Sequence, residues 1–368
     1  MKTPCLTTLA AALPSTVPFV GPETTERLQG RGFVARLGAN ESLFGPSPRA
    51  IAAMAAAASE AWMYGDPEIH DLKAALAAHH GCGPQNIVVG EGIDGLLGYL
   101  VRLMVAEGDP VVTSRGAYPT FNFHVAGFGG QLQTAPYRGD FEDPQALLDL
   151  ALQSHAKLLY IANPDNPMGS HHPAVVISDL LAQLPATTLM LLDEAYIEFA
   201  PEGTAPQIDP ETPNLIRFRT FSKAHGLAGL RVGYAITNAS LASSFDKVRN
   251  HFGLGRLAQA GALAALQDQA HLARVRGLVE AARLRVNGIA RDNGVLDLAS
   301  ATNFVSIDLG RDGDFARATL RALTERGIFV RMPGVAPLDR CLRVSLGDET
   351  ALAAFEAALP LALRAAAG

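Results

Sequence analysis

Six short runs of apolar, mostly β-branched or leucine-rich residues constrain the fold of this chain more than any other feature of the sequence. Each run is too short for a helix but suits a strand that is buried on both faces. Because helical stretches separate them, the runs predict an α/β fold with a mainly parallel sheet covered by helices on both faces. Functional sites in such sheets lie at the carboxyl ends of the strands. The runs are residues 87–89, 111–113, 157–161, 188–192, 214–218 and 231–236.

The character of the sequence changes after about residue 245, where long helical patterns over 257–267 and 270–292 precede several short strands. A chain of 368 residues is also too long for one ordinary core. The first residues, rich in proline, glycine and threonine, are typical of an arm. We therefore predict an N-terminal arm over 1–35 that packs with the small domain, a large domain over 36–245 and a small α+β domain over 246–368.

Composition excludes some classes of function. Hydrophobic residues make up 48% of the chain, and a net charge of −6 offers no basic surface for nucleic acid. Three cysteines show no metal-ligand spacing and cannot all pair, which favours a reducing cytoplasm. The first residues imitate a signal peptide only weakly, and no uncharged apolar run approaches the roughly 20 residues of a membrane span. We expect a soluble, cytoplasmic protein that contacts neither membrane nor nucleic acid.

Residues 219–234 place one amine among groups suited to a phosphate. Lys223 lies between the hydroxyl groups of Thr220 and Ser222 on one side and a glycine-rich turn ending in Arg231 on the other. The apolar neighbours of this segment predict that it is buried, and a buried lysine loses its preference for the protonated form and becomes a nucleophile. The hypothesis is that Lys223 forms a Schiff base with pyridoxal 5′-phosphate.

The stretch Gly90-Glu-Gly-Ile-Asp-Gly95 follows a strand and opens a helix, as the glycine motif of dinucleotide-binding proteins does. That motif needs an acidic residue at the end of the next strand, whereas Asp109 precedes that strand. A glycine-rich helix start still binds a phosphate through free amide groups. The amides of Ile93 and Asp94 are the predicted donors.

Two further motifs end predicted strands. Residues 188–196 resemble the magnesium-binding strand of a P-loop NTPase, but the chain contains neither Gly-Lys-Ser nor Gly-Lys-Thr. Asp193 could instead keep a pyridine nitrogen protonated, and Tyr196 could reach the phenolic oxygen of the same ring. The turn over 163–169, which contains Asn166, follows another strand. Together with Lys223, these residues form a constellation of strand-end groups.

This constellation resembles the fold-type I pyridoxal-phosphate aminotransferases, and most closely the histidinol-phosphate aminotransferase group. The match extends from about residue 18 to the C-terminus. It includes LGANESLFGPSP (37–48), NPDNPMG (163–169), LDEAYIEF (192–199), RTFSKAHGLAGLR (219–231), LAQA (257–260) and CLRVSLG (341–347).

The resemblance implies a large domain with a seven-stranded sheet, a homodimer with active sites at the subunit interface, and pyridoxal 5′-phosphate held by Lys223. It implies that Asp193 pairs with the ring nitrogen and that Phe121 stacks on the ring where the family usually has tyrosine. The phenolic oxygen would contact Asn166 and Tyr196. The phosphate would contact Thr220, Ser222, Arg231, the amides of Ile93 and Asp94, and Tyr64 of the partner subunit.

The resemblance also implies an amino donor and a 2-oxo acid acceptor, with Phe19, Asn40, Arg331 and Arg343 at the substrate. Arg343 would bind a carboxylate, and Arg331 stands where the family reads a phosphate. Three departures favour an aromatic amino acid instead: Phe19 replaces a tyrosine, Gly253 replaces an asparagine, and Ile93 is bulkier than usual.

The expected activity is transamination between histidinol phosphate or an aromatic amino acid and 2-oxoglutarate. Two alternatives stay open at this point. A decarboxylase of a phosphorylated amino acid would use the same fold, because the bond held perpendicular to the cofactor ring decides the reaction. A regulator without catalysis would need a DNA-binding extension, and the residues before 35 contain none.

Overall fold

The apolar runs of the sequence form the strands of a central sheet in the computed structural model, which describes residues 5–15 and 20–368. Alternate residues of one strand enter two different cores. Leu158 and Tyr160 pack with helices on one face, and Leu159 and Ile161 pack on the other. Both faces of the sheet are therefore covered, which explains why these strands are apolar throughout.

The strands of the described residues are β1 (Ala35–Arg36), β2 (Ile87–Gly90), β3 (Pro110–Ser114), β4 (Gln131–Ala135), β5 (Leu158–Ala162), β6 (Leu189–Asp193), β7 (Leu215–Thr220), β8 (Gly233–Thr237), β9 (Leu296–Asp297), β10 (Phe304–Asp308), β11 (Ile328–Phe329) and β12 (Cys341–Ser345).

The large sheet has seven strands in the order β2-β8-β7-β6-β5-β3-β4. Strand β8 is antiparallel to both of its neighbours, and the other pairs are parallel. The predicted fold class, a mainly parallel sheet covered by helices, is confirmed. The parallel strands β3, β5, β6 and β7 end at the same edge, and this edge positions the site.

Strand β4 was not predicted from the sequence. It lies at the edge of the sheet, and three residues of its sequence, Gln131-Leu-Gln-Thr-Ala135, are polar. An edge strand is buried less than a central one, so it lacks the continuous apolar run that identified its neighbours.

The helices are α1 (Thr8–Ala12), α2 (Pro22–Gln29), α3 (Pro48–Ala57), α4 (His70–His80), α5 (Gly92–Met104), α6 (Pro119–Gly127), α7 (Pro144–Ser154), α8 (Ala174–Gln183), α9 (Ala239–Ser244), α10 (Arg256–Gln267), α11 (Gln269–Asp292), α12 (Gly313–Glu325) and α13 (Glu349–Ala367).

Local sequence explains where several helices begin. Ser47 and Asp143 each accept hydrogen bonds from backbone N–H groups of the first turn, and each is followed by proline at the first helical position of α3 or α7. A side-chain cap and an N-terminal proline both favour a helix start. In α4, the predicted apolar positions Leu72 and Leu76 are buried.

The C-terminal part of the chain forms a second, smaller core. Strands β12, β10 and β9 make an antiparallel sheet against α11, α12 and α13. Strand β1, from the N-terminal part, pairs in parallel with β11 of this region, and Leu37 N–H donates to the carbonyl of Phe329. The three-part division of the chain stays a prediction, and this pairing supports an arm that packs with the small domain.

One described helix, α13, is long and apolar enough to cross a membrane by length and composition. Its residues Leu352, Phe355 and Leu359 are buried in the small core. A core helix passes the same test of length and hydropathy.

Candidate active site

A cavity of about 750 Å³ opens at the carboxyl ends of β5, β6 and β7. The small sheet and the segment after β1 close its other side. Of the predicted site residues that the structure describes, all except Tyr64 and Phe121 line this cavity. They are Asn40, Ile93, Asp94, Asn166, Asp193, Tyr196, Thr220, Ser222, Lys223, Arg231, Arg331 and Arg343.

One end of the cavity is suited to a phosphate. Helix α5 begins at Gly92, so the amides of Ile93 and Asp94 lie in its first turn, where N–H groups have no partner within the helix. Ser222 Oγ accepts a hydrogen bond from Arg231 Nη1 at 3.3 Å and from Thr220 Oγ1 at 2.9 Å. Hydroxyl, guanidinium and amide donors therefore converge there.

Two glycines allow this close approach. Gly92 has a φ of +78°, and a Cβ there would lie 2.4 Å from Arg231 Nη2. A Cβ on Gly233, in β8, would lie 2.7 Å from the backbone nitrogen of Ile93. A side chain at Gly92 would meet Arg231, and one at Gly233 would meet the backbone of the helix start.

Lys223 follows β7 and reaches the middle of the cavity. Its Nζ donates to the backbone carbonyl of Asn40 at 3.1 Å and lies 5.7 Å from the centroid of the Tyr196 ring. Burial lowers the pKa of the Lys223 ammonium to about 8, and the positive charges of Arg343 and Arg231 act in the same direction. The amine is thus available as a nucleophile close to neutral pH.

Asp193 is the last residue of β6 and is buried. Its Oδ2 accepts from the Tyr160 hydroxyl at 2.6 Å, and its Oδ1 accepts from the Ala195 N–H at 2.9 Å. Burial raises the pKa of this carboxyl to about 6. A buried carboxylate at a cavity wall favours a ligand that carries a cationic N–H group.

Tyr196 joins the segment after β1 to the strand-end loops. Its hydroxyl oxygen accepts from Asn40 Nδ2 at 3.1 Å and from Asn166 Nδ2 at 3.4 Å. Burial raises the pKa of this phenol to about 12, so it stays protonated and can donate to a ligand oxygen. Asn40 itself has a φ of +55° and is held by Ser345, whose hydroxyl donates to Asn40 Oδ1.

Arg343 and Arg331 lie opposite each other on adjacent backbone segments. Each N–H donates to the other residue's carbonyl, at 3.2 Å from Arg331 and 2.6 Å from Arg343. Side chains of directly opposed residues project from the same face of such a pair. Arg343 Nη1 also donates to Asn166 Oδ1 at 2.6 Å, and Nη2 to the carbonyl of Gly38 at 3.0 Å.

The prediction for Phe121 is wrong. Its side chain is fully buried beneath the cavity wall and stacks against Tyr160, with ring centroids 4.8 Å apart. Tyr118, which directly precedes α6, lines the cavity instead and donates to Asp94 Oδ1 at 3.0 Å. The motif gave the correct segment, but Phe121 points from the first turn of α6 into the core.

Tyr64 lies away from the cavity of this chain. It is 77% exposed and packs against Phe252, with the rings tilted and their centroids 4.8 Å apart. Its predicted contact is with the other subunit, so the role of Tyr64 stays a prediction. Phe19 lies outside the described residues. At Gly253, a Cβ would lie 1.6 Å from Glu91 Oε1, so the Glu91 carboxylate fills the space that a larger residue would need.

The residues of the cavity fit pyridoxal 5′-phosphate. The glycine-lined helix start and Arg231 suit its phosphate, Asp193 suits its ring nitrogen, and Tyr196 and Asn166 suit its phenolic oxygen. Lys223 lies between these groups and is suited to its aldehyde. Among the described residues, no group of three histidine, cysteine, aspartate or glutamate side chains could hold a metal ion.

The model of the aminotransferase class I and II family matches residues 34–359. The histidinol-phosphate aminotransferase of Anaeromyxobacter sp. is 35% identical over 356 residues, which cover 94% of this chain and 96% of the relative. Histidinol-phosphate aminotransferase 2 of Ralstonia nicotianae is 36% identical over 340 residues, covering 90% of this chain and 91% of that protein.

Solved structures agree with the sequence relatives. The crystal structure of histidinol-phosphate aminotransferase from Sinorhizobium meliloti in complex with pyridoxal 5′-phosphate is 52% identical, with a TM-score of 0.94, and the match covers 98% of this chain and 97% of that one. Aspartate aminotransferase from Thermus thermophilus with maleate has a TM-score of 0.81 at 20% identity and shares the fold. Family match, relatives and cavity agree, and the chain belongs to the aminotransferase class I and II family of pyridoxal-phosphate-dependent transaminases.

Proposed function

We propose that this transaminase moves an amino group between histidinol phosphate and 2-oxoglutarate. The observation that supports this choice of substrate is the opposed pair Arg331 and Arg343, whose side chains line one cavity. Neighbouring guanidinium groups repel each other, and an anion with two charges relieves that repulsion. A phosphate monoester meets this need in one half-reaction, and the two carboxylates of 2-oxoglutarate meet it in the other. The named activity of the relatives supports the same substrate.

The catalytic residues are part of the proposal. When bound, pyridoxal 5′-phosphate supplies an electron-withdrawing ring that stabilises negative charge on the substrate carbon bearing the amine. Lys223 Nζ holds the cofactor and, once displaced by the substrate amine, moves the proton from and to that carbon. Because its pKa is lowered to about 8, a useful fraction of Lys223 is neutral near pH 7. Asp193 keeps the ring nitrogen protonated by its negative charge.

The other residues of the cavity bind and orient. The α5 amides, Ser222, Thr220 and Arg231 hold the cofactor phosphate and so fix the ring against Asp193. Tyr196 and Asn166 donate to the phenolic oxygen. Arg343, anchored on Asn166 and on the Gly38 carbonyl, holds a substrate anion at a constant distance from Lys223.

A panel of amino donors assayed with 2-oxoglutarate tests the substrate. Histidinol phosphate, phenylalanine, tyrosine and aspartate are compared by kcat/KM, and histidinol phosphate is expected to exceed phenylalanine by a factor of at least about a hundred, as loss of a charged contact would give. Equal values would reject the phosphorylated substrate and leave the transaminase. Carbon dioxide release from a phosphorylated amino acid without a keto acid would indicate a decarboxylase instead.

We also propose a homodimer in the cytoplasm. Transaminases of this family act on amino and oxo-acid substrates and are typically dimers. Tyr64 and Phe252, 77% and 52% exposed, are in ring contact, and Trp62, two residues before Tyr64, is 81% exposed. A second copy would cover these apolar side chains. Cys82 and Cys341 form no disulfide, which supports a reducing compartment.

A further inference from the structure

Two buried carboxyl groups, those of Glu142 and Asp165, are in hydrogen-bonding contact behind the loop that carries Asn166. Glu142 is 1% exposed and Asp165 is 2% exposed. Two ionised carboxylates in contact without water repel each other strongly, so such a pair retains one proton near neutral pH. Asp165 lies in the turn over 163–169, whereas Glu142 belongs to no motif that identified the site.

Each carboxyl accepts two hydrogen bonds, and the positive charge of Arg343 near Asp165 places the shared proton on Glu142. Asp165 accepts from the Tyr137 hydroxyl at 2.9 Å and from the Met168 N–H at 3.1 Å, and the positive charge of Arg343 also favours its ionised form. Burial raises the pKa of both groups, and the contact with Asp165 raises that of Glu142 further. Glu142 therefore donates, and Asp165 accepts.

The pair connects the sheet to the substrate side of the cavity. Glu142 is tied to the strand ends, because it accepts from Ser114 Oγ at 2.5 Å and from the Ala162 N–H at 3.0 Å. Asp165 directly precedes Asn166, whose Oδ1 accepts from Arg343. A change at Glu142 is thus transmitted through one short loop to the guanidinium group of Arg343.

We propose that Glu142 is a positioning residue for the substrate anion: its protonated carboxyl donates to Asp165 and thereby keeps Asn166 against Arg343. This inference rests on the proposed function, because it needs Arg343 to bind the substrate. Glu142 then affects the binding of the substrate anion, and the proton movement at Lys223 does not depend on it.

Two variants of similar volume separate hydrogen bonding from packing. The amide of Glu142→Gln donates to Asp165 as the protonated acid does, whereas Glu142→Leu cannot. We expect E142Q to keep the wild-type KM for 2-oxoglutarate within about threefold, and E142L to raise that KM about tenfold or more with a smaller change in kcat, the size of one hydrogen bond to a charged group. An E142L enzyme with wild-type KM, or equal defects in both variants, would overturn the proposal.

The pH profile of KM is the second measurement. As pH rises past the raised pKa of Glu142, the wild-type pair loses its proton and the resulting repulsion should raise KM, whereas E142Q has no such proton to lose. Tyr137 and Tyr160, whose pKa values burial raises, stay neutral there, and Arg343 stays charged. Burial lowers the pKa of His172, which accordingly stays neutral as well. An alkaline rise in KM that is identical in E142Q would contradict the assignment.

Thermal unfolding tests the shared proton without any activity. The fold favours protonated Glu142, so its contribution to stability decreases as pH rises from the unfolded pKa of 4.5 toward the raised folded value. The melting temperature of E142Q should fall less over this range than that of the wild type, and equal slopes would reject the pair. Glu198→Gln removes another buried carboxyl, whose pKa is raised to about 7, and should leave KM unchanged. If the wild-type enzyme turned over no amino donor, only the proposed function would be rejected. The shared proton would still be tested, because the unfolding measurement needs no activity.

Discussion

Lys223 is half-buried beside two positive charges and hydrogen-bonds to a backbone carbonyl, and this environment supports its proposed role as the reactive amine of the cavity. Lys223→Ala should reduce turnover by a factor on the order of a thousand or more, because both cofactor attachment and proton transfer are lost. Steady-state rates and the absorbance of the bound cofactor measure this. The exposed Lys247→Ala is the control and should keep both. Retention of turnover by K223A would refute the role.

The lowered pKa of Lys223 predicts a pH dependence. Only the neutral amine reacts with the cofactor aldehyde, and its fraction in the apoprotein rises about tenfold per pH unit up to the pKa of about 8 and then levels off. The rate of absorbance change after adding pyridoxal 5′-phosphate should follow this curve. A rate that keeps rising to about pH 10 would show an ordinary lysine pKa.

Asp193→Asn should lower kcat by about a hundredfold or more, since the ring nitrogen loses its charged partner. The same variant changes the stability of the apoprotein. The pKa of Asp193 is raised from 3.8 to about 6, so the wild type loses about 1.4 kcal/mol per pH unit as pH rises through this window. Denaturant unfolding of apo D193N should lack that slope, and a D193N slope equal to the wild-type one would contradict the raised pKa.

Sequence reasoning grouped Lys223, Asp193 and Arg231 by chemical type and strand-end position, and the structure brings all three to one cavity. It failed at Phe121, because the direction of a side chain in the first turn of α6 depends on how that helix packs on the sheet. Glu142 was not found either. Nothing in the run Asp140-Phe-Glu142 indicates that a carboxyl will be buried against Asp165, since the contact joins segments from separate strand connections.

Helix α5 begins at Gly92, and only glycine is tolerated at this position. Gly92→Ala would force an L-residue to a φ of +78° and place a Cβ 2.4 Å from Arg231 Nη2. We expect affinity for pyridoxal 5′-phosphate to fall about tenfold to a hundredfold, a loss of one or two charge-assisted contacts. Titration of the apoprotein with the cofactor measures this.

Gly277→Ala is the matched control, because Gly277 lies inside α11 and a Cβ there meets no atom within 4 Å. Alanine favours a helix interior, so G277A should bind the cofactor normally and unfold at a slightly higher temperature. If G92A and G277A bind the cofactor equally well, the close approach at Gly92 does not matter for the phosphate.

Strands were predictable from the sequence where the pattern of apolar residues is strong. Six of the seven strands of the large sheet were predicted, since burial on both faces requires apolar residues throughout. The edge strand β4 and the two-residue strand β1 were missed. Their existence depends on partners elsewhere in the chain, β3 for one and β11 for the other, which no local periodicity reports.

The whole molecule brings distant segments to one cavity. The Asn40 N–H donates to Ser345 Oγ, a contact between residues 305 positions apart, and its carbonyl accepts from Lys223. The segment around Asn40 thereby connects the small sheet to the large one at the wall of the cavity. This meeting of distant segments results from the packing of the whole chain. From the sequence, only the resemblance to a known family suggested it.

The dimer is the last level of organisation, and subunit mixing tests whether it completes the site. Tyr64 lies on an exposed aromatic surface outside its own cavity, and we propose that it contacts the cofactor phosphate of the other subunit. A dimer of one Lys223→Ala chain and one Tyr64→Ala chain then contains one intact site, because the first supplies Tyr64 and the second supplies Lys223.

The two variants should therefore complement each other. At a cofactor concentration where each variant alone is inactive, unfolding and refolding an equal mixture should restore about a quarter of wild-type activity, since half of the dimers are hybrids with one site of two. If Tyr64 acts within its own chain, both sites of the hybrid are damaged and the mixture stays inactive. Mixing Lys223→Ala with Asp193→Asn is the control. Lys223 and Asp193 of one site come from the same chain, so each site of the hybrid carries one of the two changes. No activity should return.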